Sequence, residues 1–398
     1  MAGTRLIDYP ELRRQCELNG TTATVRHLHE ALEKKHVRAD DFSFRDLACA
    51  FMSEEWVRNL HPKSGRFRYP TEISESVRYS DFSDITGQIV FSKILEGYQD
   101  EQFAFQKEIP VVNTDIQDME KIPGLGHIGD ESLTVMEGEP YPDVGFSQDY
   151  IEVAAKTKRG MIVSLTKEAI FGDKTGLILP RVRKLGVYQG LNLEKRCIDA
   201  VIDENAGAVS AVLGGHRYHW KGTSYATYQT STPYDNVTTS NGLLDWTDVE
   251  NALLTIQAIT DPFTGEPVSI MARDIIVTPQ NYMTALRILN ATDVRNHTTG
   301  YPTSGNVVEY SAANPVSGMG FRVISSQLLA SRAATDTDWW IGDLKGAVNR
   351  FVNWDIQTEE AGPNHPDAFR RDVVMQVKVA VKDAVSVIEP RYLHESRA

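Results

Sequence analysis

Between residues 150 and 204 the spacing of apolar positions changes period. Ile151, Val153 and Ala155 alternate with Glu152, Ala154 and Lys156, the period of two that a half-buried strand requires. Lys158-Arg159-Gly160 interrupts the run and residues 161–165 resume it. Asp173-Lys174-Thr175-Gly176 reads as a helix entrance, with Pro180 in the first turn, where a missing N–H is tolerated. Val182, Leu185, Leu191, Ile198 and Val201 then recur at helical spacing among charged residues. This predicts a helix over residues 175–203, roughly 25 residues and about 37 Å long. Gly186 and Gly190 sit one turn apart inside it. Each is less favourable than Ala by about 1 kcal/mol in a helix, which predicts close packing on that face.

Elsewhere the periodicity is more ordinary. Residues 1–78 are helical and charge-rich, with helices over 24–35 and 44–59. Their apolar stripes (Leu28 and Leu32, Leu47 and Phe51) are too narrow for a core of their own. Residues 86–102 form another helix, and 103–112 are extended. Residues 113–142 hold four Gly and three Pro between two extended segments, which predicts a long hairpin with little to bury within its own subunit. From 244 to 341 the pattern is α/β: a capping box at Thr247-Asp-Val-Glu250, a strand over 274–277, a helix entered at Thr278-Pro279, a polar loop over 290–306, and strands over 321–324 and 339–341. Residues 373–382 are the clearest strand. A turn is expected at 382–384, after which 385–388 pairs back, with the segments around Ile151 and Met161 as sheet partners.

Length and charge narrow the function. A chain of 398 residues holds two or three domains. With 41 basic and 54 acidic residues, a net charge of −13, it is a poor general binder of nucleic acid, whose affinity comes largely from Lys and Arg. Three dispersed cysteines, Cys16, Cys49 and Cys197, point to a reducing compartment without a disulfide framework. No signal-peptide pattern opens the chain, and no run approaches the roughly 18 apolar residues of a membrane span.

Candidate chemistry is sparse. Gly124, Gly126 and Gly129 match G-x-G-x-x-G, but no strand-to-helix context surrounds them, so they read as a hairpin tip. His216 and His219 lack Cys or carboxylate partners at zinc-site spacing. His27 and His29 do not share a helix face. Glu137, Glu139, Glu359 and Glu360 read as solvated loop charge. No catalytic, cofactor-binding or metal-binding residue is assigned.

The order of elements carries more information than any motif. An extended arm, a long hairpin, a strut helix, an inserted α/β subdomain and returning strands together resemble tailed-bacteriophage major capsid proteins of the HK97-like fold. The runs Ile162-Val163-Ser164-Leu165-Thr166-Lys167-Glu168, Ile341-Gly342-Asp343 and 369–390 with Arg370-Arg371-Asp372 are similar to recurrent patterns there. The resemblance implies an α+β fold with an N-terminal helical arm (1–78), an arm leading into the peripheral domain (79–112), an extended loop (113–143), a peripheral domain with its spine helix (144–243), an axial domain (244–345) and return strands (346–398). It further implies a structural protein rather than an enzyme, needing no cofactor. Such a protein assembles with itself into hexamers and pentamers around double-stranded DNA without sequence-specific binding. Portal, scaffold or decoration proteins are its possible partners. Membranes are not involved; the protein belongs to the virion capsid and is made in the host cytoplasm. An encapsulin-like compartment shell is the alternative, and a nucleotide-dependent enzyme a remote one. No cross-linking Lys and Asn pair is identified; Lys121 in the loop reads as solvated.

Overall fold

The computed structural model describes residues 9–19, 21–34, 89–100, 102–123, 134–140, 149–166, 178–203, 217–221, 223–261, 265–299, 307–361, 370 and 373–398. The expected helix over 44–59, the glycines at 124–129, His216 and the helix entrance at 173–176 lie outside them. The chain divides into two compact units, residues 1–101, 158–192 and 354–382, and residues 102–157, 193–353 and 383–398. The segment 244–345 falls within the second. The segments 144–243 and 346–398 are each divided between the two.

In the first unit, Tyr9–Asn19 and Thr21–Glu33 are successive helices, with Leu12, Val25 and Leu28 buried. A helix over residues 89–98 crosses the start of the long helix Ile178–Ile202. A Cβ placed on Gly186 would stand 2.0 Å from the Ile94 carbonyl oxygen, and one on Gly97 2.2 Å from that of Arg183. The close packing expected at Gly186 is therefore backbone against backbone, and it needs a second glycine from the partner helix. Arg183 ties the pair together through Glu96 and Asp100, each at 3.2 Å.

A four-stranded sheet runs in the order Val111–Asn113, Val348–Ala361, Val373–Val387, Thr157–Thr166. The strand around Met161 thus joins the C-terminal strand, as its alternation predicts. The strand around Ile151 does not: Tyr150–Val153 pairs with Glu120–Pro123 and with Arg217–Trp220. Nor is there a turn at 382–384, because Val373–Val387 is one continuous strand. Lys382-Asp383 reads as a turn only while Asp383 lacks a partner. In the fold Asp383 is fully buried and bonded to Arg196 at 2.7 Å and Arg350 at 2.9 Å, so a carboxylate sits inside a strand without penalty to the ladder.

The second unit holds a five-stranded sheet ordered Arg322–Ser325, Asp274–Val277, Trp339–Gly342, Leu393–Ser396, Val237–Thr238. Asp274–Val277 runs parallel to the first strand and antiparallel to Trp339–Gly342. The chain's last strand inserts between Trp339–Gly342 and Val237–Thr238, a non-local pairing that periodicity does not reveal. Ile275, Val277, Trp339 and Ile341 pack with Val249 and Ile256 of the helix Trp246–Gln257 and with Ala285 and Ile288 of Pro279–Asn290. The first helix is capped by Asp245 and Asp248, not by Thr247 and Glu250; Trp246 is already helical, which moves the cap two residues back. Pro279 opens the second helix, while the Thr278 hydroxyl donates to the Asp336 carbonyl instead of capping. The expected polar loop at 290–306 includes a strand, Asp293–Thr299, paired antiparallel with Val307–Ala313.

Candidate assembly surface

Residues 103–110, expected to be extended, form an anchored root with a short helix at Phe105–Glu108. Phe103, Phe105 and Ile109 are buried. Glu194, on the long helix, accepts the backbone N–H groups of Ala104 (3.0 Å), Phe105 (2.9 Å) and Gln106 (3.0 Å). Burial pushes the Glu194 carboxyl above its usual range, although these three donors pull it the other way. Glu108 accepts from Arg322 at 2.5 Å and lies 3.8 Å from Lys345. Arg322 also grips Asp274, whose second oxygen accepts the Leu344 N–H at 3.1 Å.

Beyond this root the polarity of the chain inverts. Val111–Asn113 is an edge strand, parallel to Arg350–Val352, with all three residues exposed. The backbone continues to be held from the protein side. Thr114 N–H donates to the Val352 carbonyl at 3.0 Å, Asn353 Nδ2 donates to the carbonyls of Thr114 at 2.8 Å and Ile116 at 3.2 Å, and Lys156 N–H donates to that of Gln117 at 3.1 Å. The buried Lys156 ammonium meets Glu120 at 3.1 Å. Meanwhile Val111, Val112, Ile116 and Met119 are 54%, 36%, 47% and 50% exposed. A strap whose polar backbone faces inward leaves about half of each of these large apolar side chains in water, uncovered by its own subunit. Such a run marks an interaction surface.

From the strap the chain enters Glu120–Pro123, which pairs antiparallel with Tyr150–Val153, Glu120 opposite Val153 and Pro123 opposite Tyr150. Lys121 lies on this strand pair and keeps the exposed side chain expected of it, 61% exposed, its ammonium 4.3 Å from the Tyr150 ring centroid and 3.8 Å from Glu152. His219 stacks on Tyr150 with centroids 4.5 Å apart, beside Glu152 at 3.1 Å and Ser224 at 3.1 Å. These contacts tie neighbouring strands of one sheet together. Glu137, Glu139 and Glu359 are exposed. Among the described residues no group of three or more His, Cys, Asp and Glu is placed to hold a metal ion, and no described helix is long and apolar enough to cross a membrane. The sequence pattern makes residues 103–112 extended, with Val111 and Val112 at the end, and says nothing of which way they face. The one available signal is two adjacent valines, which cannot both face a single core.

The sequence profile of phage capsid proteins matches residues 150–394. No curated protein matches the chain. Among solved structures, the chain is similar to the capsid of cyanophage P-SCSP1u, at 14% identity over 75% of this chain and 89% of that one, with a TM-score of 0.45. It is similar to the virus-like particle from Pyrococcus furiosus, at 11% identity over 77% and 98%, TM-score 0.40. The SrpI encapsulin of Synechococcus elongatus PCC 7942 aligns at 9% identity over 73% and 85%, TM-score 0.42.

Proposed function

Since the chain belongs to the phage capsid protein family, whose profile covers residues 150–394, we propose that it is the major head protein, assembling into hexamers and pentamers that enclose double-stranded DNA. The family match carries this reading, and the strap at 111–119 supports it. A shell subunit must present apolar surface that only its neighbours cover, and Val111, Val112, Ile116 and Met119 do so from a rigidly held backbone. The role is geometric, with the loop over 113–143 overlapping an adjacent subunit, the N-terminal region clasping another and the axial regions meeting at the capsomer centre. The acidic balance suits a genome confined by a closed wall rather than by dense Lys and Arg contacts. Synthesis in the host cytoplasm and contacts with portal, scaffold or decoration proteins belong to the same proposal.

The test is negative-stain microscopy and size-exclusion chromatography of the chain expressed alone and with its phage's scaffold. Closed shells or five- and six-membered rings are expected. A monomer or dimer that stays small under every condition defeats the reading. Shells filled with a protein cargo instead of DNA would move it to a compartment.

A further inference from the structure

The sheet formed by Glu120–Pro123, Tyr150–Val153, Arg217–Trp220 and Thr223–Tyr225 has two unlike faces. Ile151, Tyr218, Trp220 and Tyr225 pack on one side with the buried Tyr234 and Ile259. Alternation places Lys121, Tyr150, Glu152, His219 and Ser224 on the other. The His219 ring, stacked on Tyr150, has a neighbour at each nitrogen: Ser224 Oγ stands 3.1 Å from Nδ1 and Glu152 Oε2 3.1 Å from Nε2. A hydroxyl that donates to Nδ1 requires the ring proton on Nε2, the side of Glu152. The carboxylate lies off the line of that N–H, so it acts on the imidazole through its charge. Lys121 lies 3.8 Å from the other oxygen, Oε1, and leaves Oε2 to the ring. Only 12% of the His219 side chain and 18% of that of Glu152 are exposed, whereas Ser224 is open to solvent.

The backbone adds a second element. Trp220 and Thr223 close a two-residue hairpin, which makes them a hydrogen-bonded pair. At the next pair, His219 and Ser224, the side chains approach most closely and the backbone groups point apart. Thr223–Tyr225 is the last strand of its sheet among the described residues, so the Ser224 N–H points out from the edge, beside its own Oγ, where it can donate to a developing oxyanion. We propose that Ser224 is an activated nucleophile that takes an acyl group from small esters, with His219 as its general base and Glu152 as a positioning residue. The site is independent of the shell reading. Oγ attacks the ester carbonyl carbon as its proton passes to His219 Nδ1. The C–O bond to the alcohol then breaks and the alcohol leaves with that proton, giving acyl-Ser224. Water, deprotonated by the same nitrogen, later releases the carboxylic acid and restores the hydroxyl.

The test treats the full chain with p-nitrophenyl acetate and locates the acetyl groups by peptide mass spectrometry, with melting as the check on folding. Ser224 is expected to acetylate about a hundredfold faster than Ser231, which is also exposed, the contribution of a placed general base. Ser224→Ala is expected to remove that fast phase of p-nitrophenol release. His219→Ala is expected to lose about a hundredfold in rate and to regain part of it when imidazole is added, a rescue that a purely structural histidine would not show. Glu152→Gln is expected to slow labelling about tenfold in the wild-type chain and to change nothing in the His219→Ala chain, because it acts only through the ring. Ser224 labelling no faster than Ser231 overturns the proposal, and this comparison needs only the wild-type chain, so it stands even where His219→Ala melts early. A well-folded His219→Ala chain that labels at the wild-type rate, or that imidazole does not rescue, overturns the role of the base. Acetyl groups confined to lysines such as Lys121 overturn it in favour of ordinary surface amines.

Discussion

Asp383 sits between two guanidinium groups, with Arg196 Nη1 at 2.7 Å, Arg196 Nη2 at 3.2 Å and Arg350 Nε at 2.9 Å. Burial alone would raise its carboxyl; the two arginines outweigh that and hold it below the usual carboxylate range. Removing the carboxylate leaves two buried cations facing each other, so Asp383→Ala is expected to cost about 3–5 kcal/mol, read as a fall in the urea midpoint. A midpoint within error of wild type would mean the pair is solvated. His394 gives a second prediction at this scale. Its side chain is buried, with Nε2 3.1 Å from the Thr238 hydroxyl and, among the described residues, no hydrogen-bond partner for Nδ1. Burial lowers its pKa from 6.5 to about 4. A depressed folded pKa means that the unfolded chain binds the proton first, so stability is lost as pH falls from about 6.5 to about 4, by up to about 3 kcal/mol. The slope from Glu194 and Asp274 has the opposite sign, because burial raises both carboxyls and acid relieves that cost. Comparing wild type with His394→Gln by chemical denaturation across this range isolates the histidine; an unchanged slope contradicts its burial.

At the scale of elements, the helix over 89–98 and the helix Ile178–Ile202 meet through Gly97 and Gly186. In an exposed helix Gly→Ala gains about 1 kcal/mol. Here the added methyl would strike a carbonyl oxygen that cannot rotate away, so the helices must separate. Gly186→Ala is expected to destabilise by about 1–3 kcal/mol net, with faster amide exchange over residues 89–98. A stabilised variant would show that the helices do not cross at this point. The long helix is buried on one face in its first half, at Val182, Gly186, Gln189 and Gly190, and nearly all round from Leu193 to Ile202, where only Lys195 and Asp199 are partly exposed. Leu185 and Leu191, which the sequence pattern also placed on the apolar stripe, are only partly buried. Cys197 lies fully buried, and desolvation raises its thiol far above the ordinary range, so it should resist alkylation in the folded chain.

For the whole molecule the question is what the strap at 111–119 costs a lone subunit. Covering a half-exposed side chain of this size gains about 1 kcal/mol. Four such side chains make one weak contact in isolation and a strong one when a closed ring supplies it in every copy. Replacing residues 124–143 with a short linker, which keeps Glu120–Pro123 on Tyr150–Val153 and Glu120 on Lys156, is expected to leave a folded chain with near-wild-type melting that no longer closes into shells. Normal shells from that variant, seen by microscopy, would remove the loop from the assembly mechanism.

The sequence by itself determined what depends on near neighbours along the chain. The long helix, the strand at 274–277, the 161–165 part of the strand Thr157–Thr166 and the Pro279 helix entrance follow from local periodicity and capping, and the order of elements carried the family resemblance; Lys158-Arg159-Gly160, read as a break, is instead the start of that strand. Tertiary structure decided what depends on pairing between distant residues. The strand Val373–Val387 runs through Asp383 because Arg196 and Arg350 come to meet it, and Leu393–Ser396 enters the five-stranded sheet because Trp339–Gly342 offers an open edge. Val111 and Val112 face water because Arg350–Val352 holds their backbone from one side alone. Strand partners and the outward face of an edge are set by contacts between residues far apart in the sequence, and no local pattern encodes them.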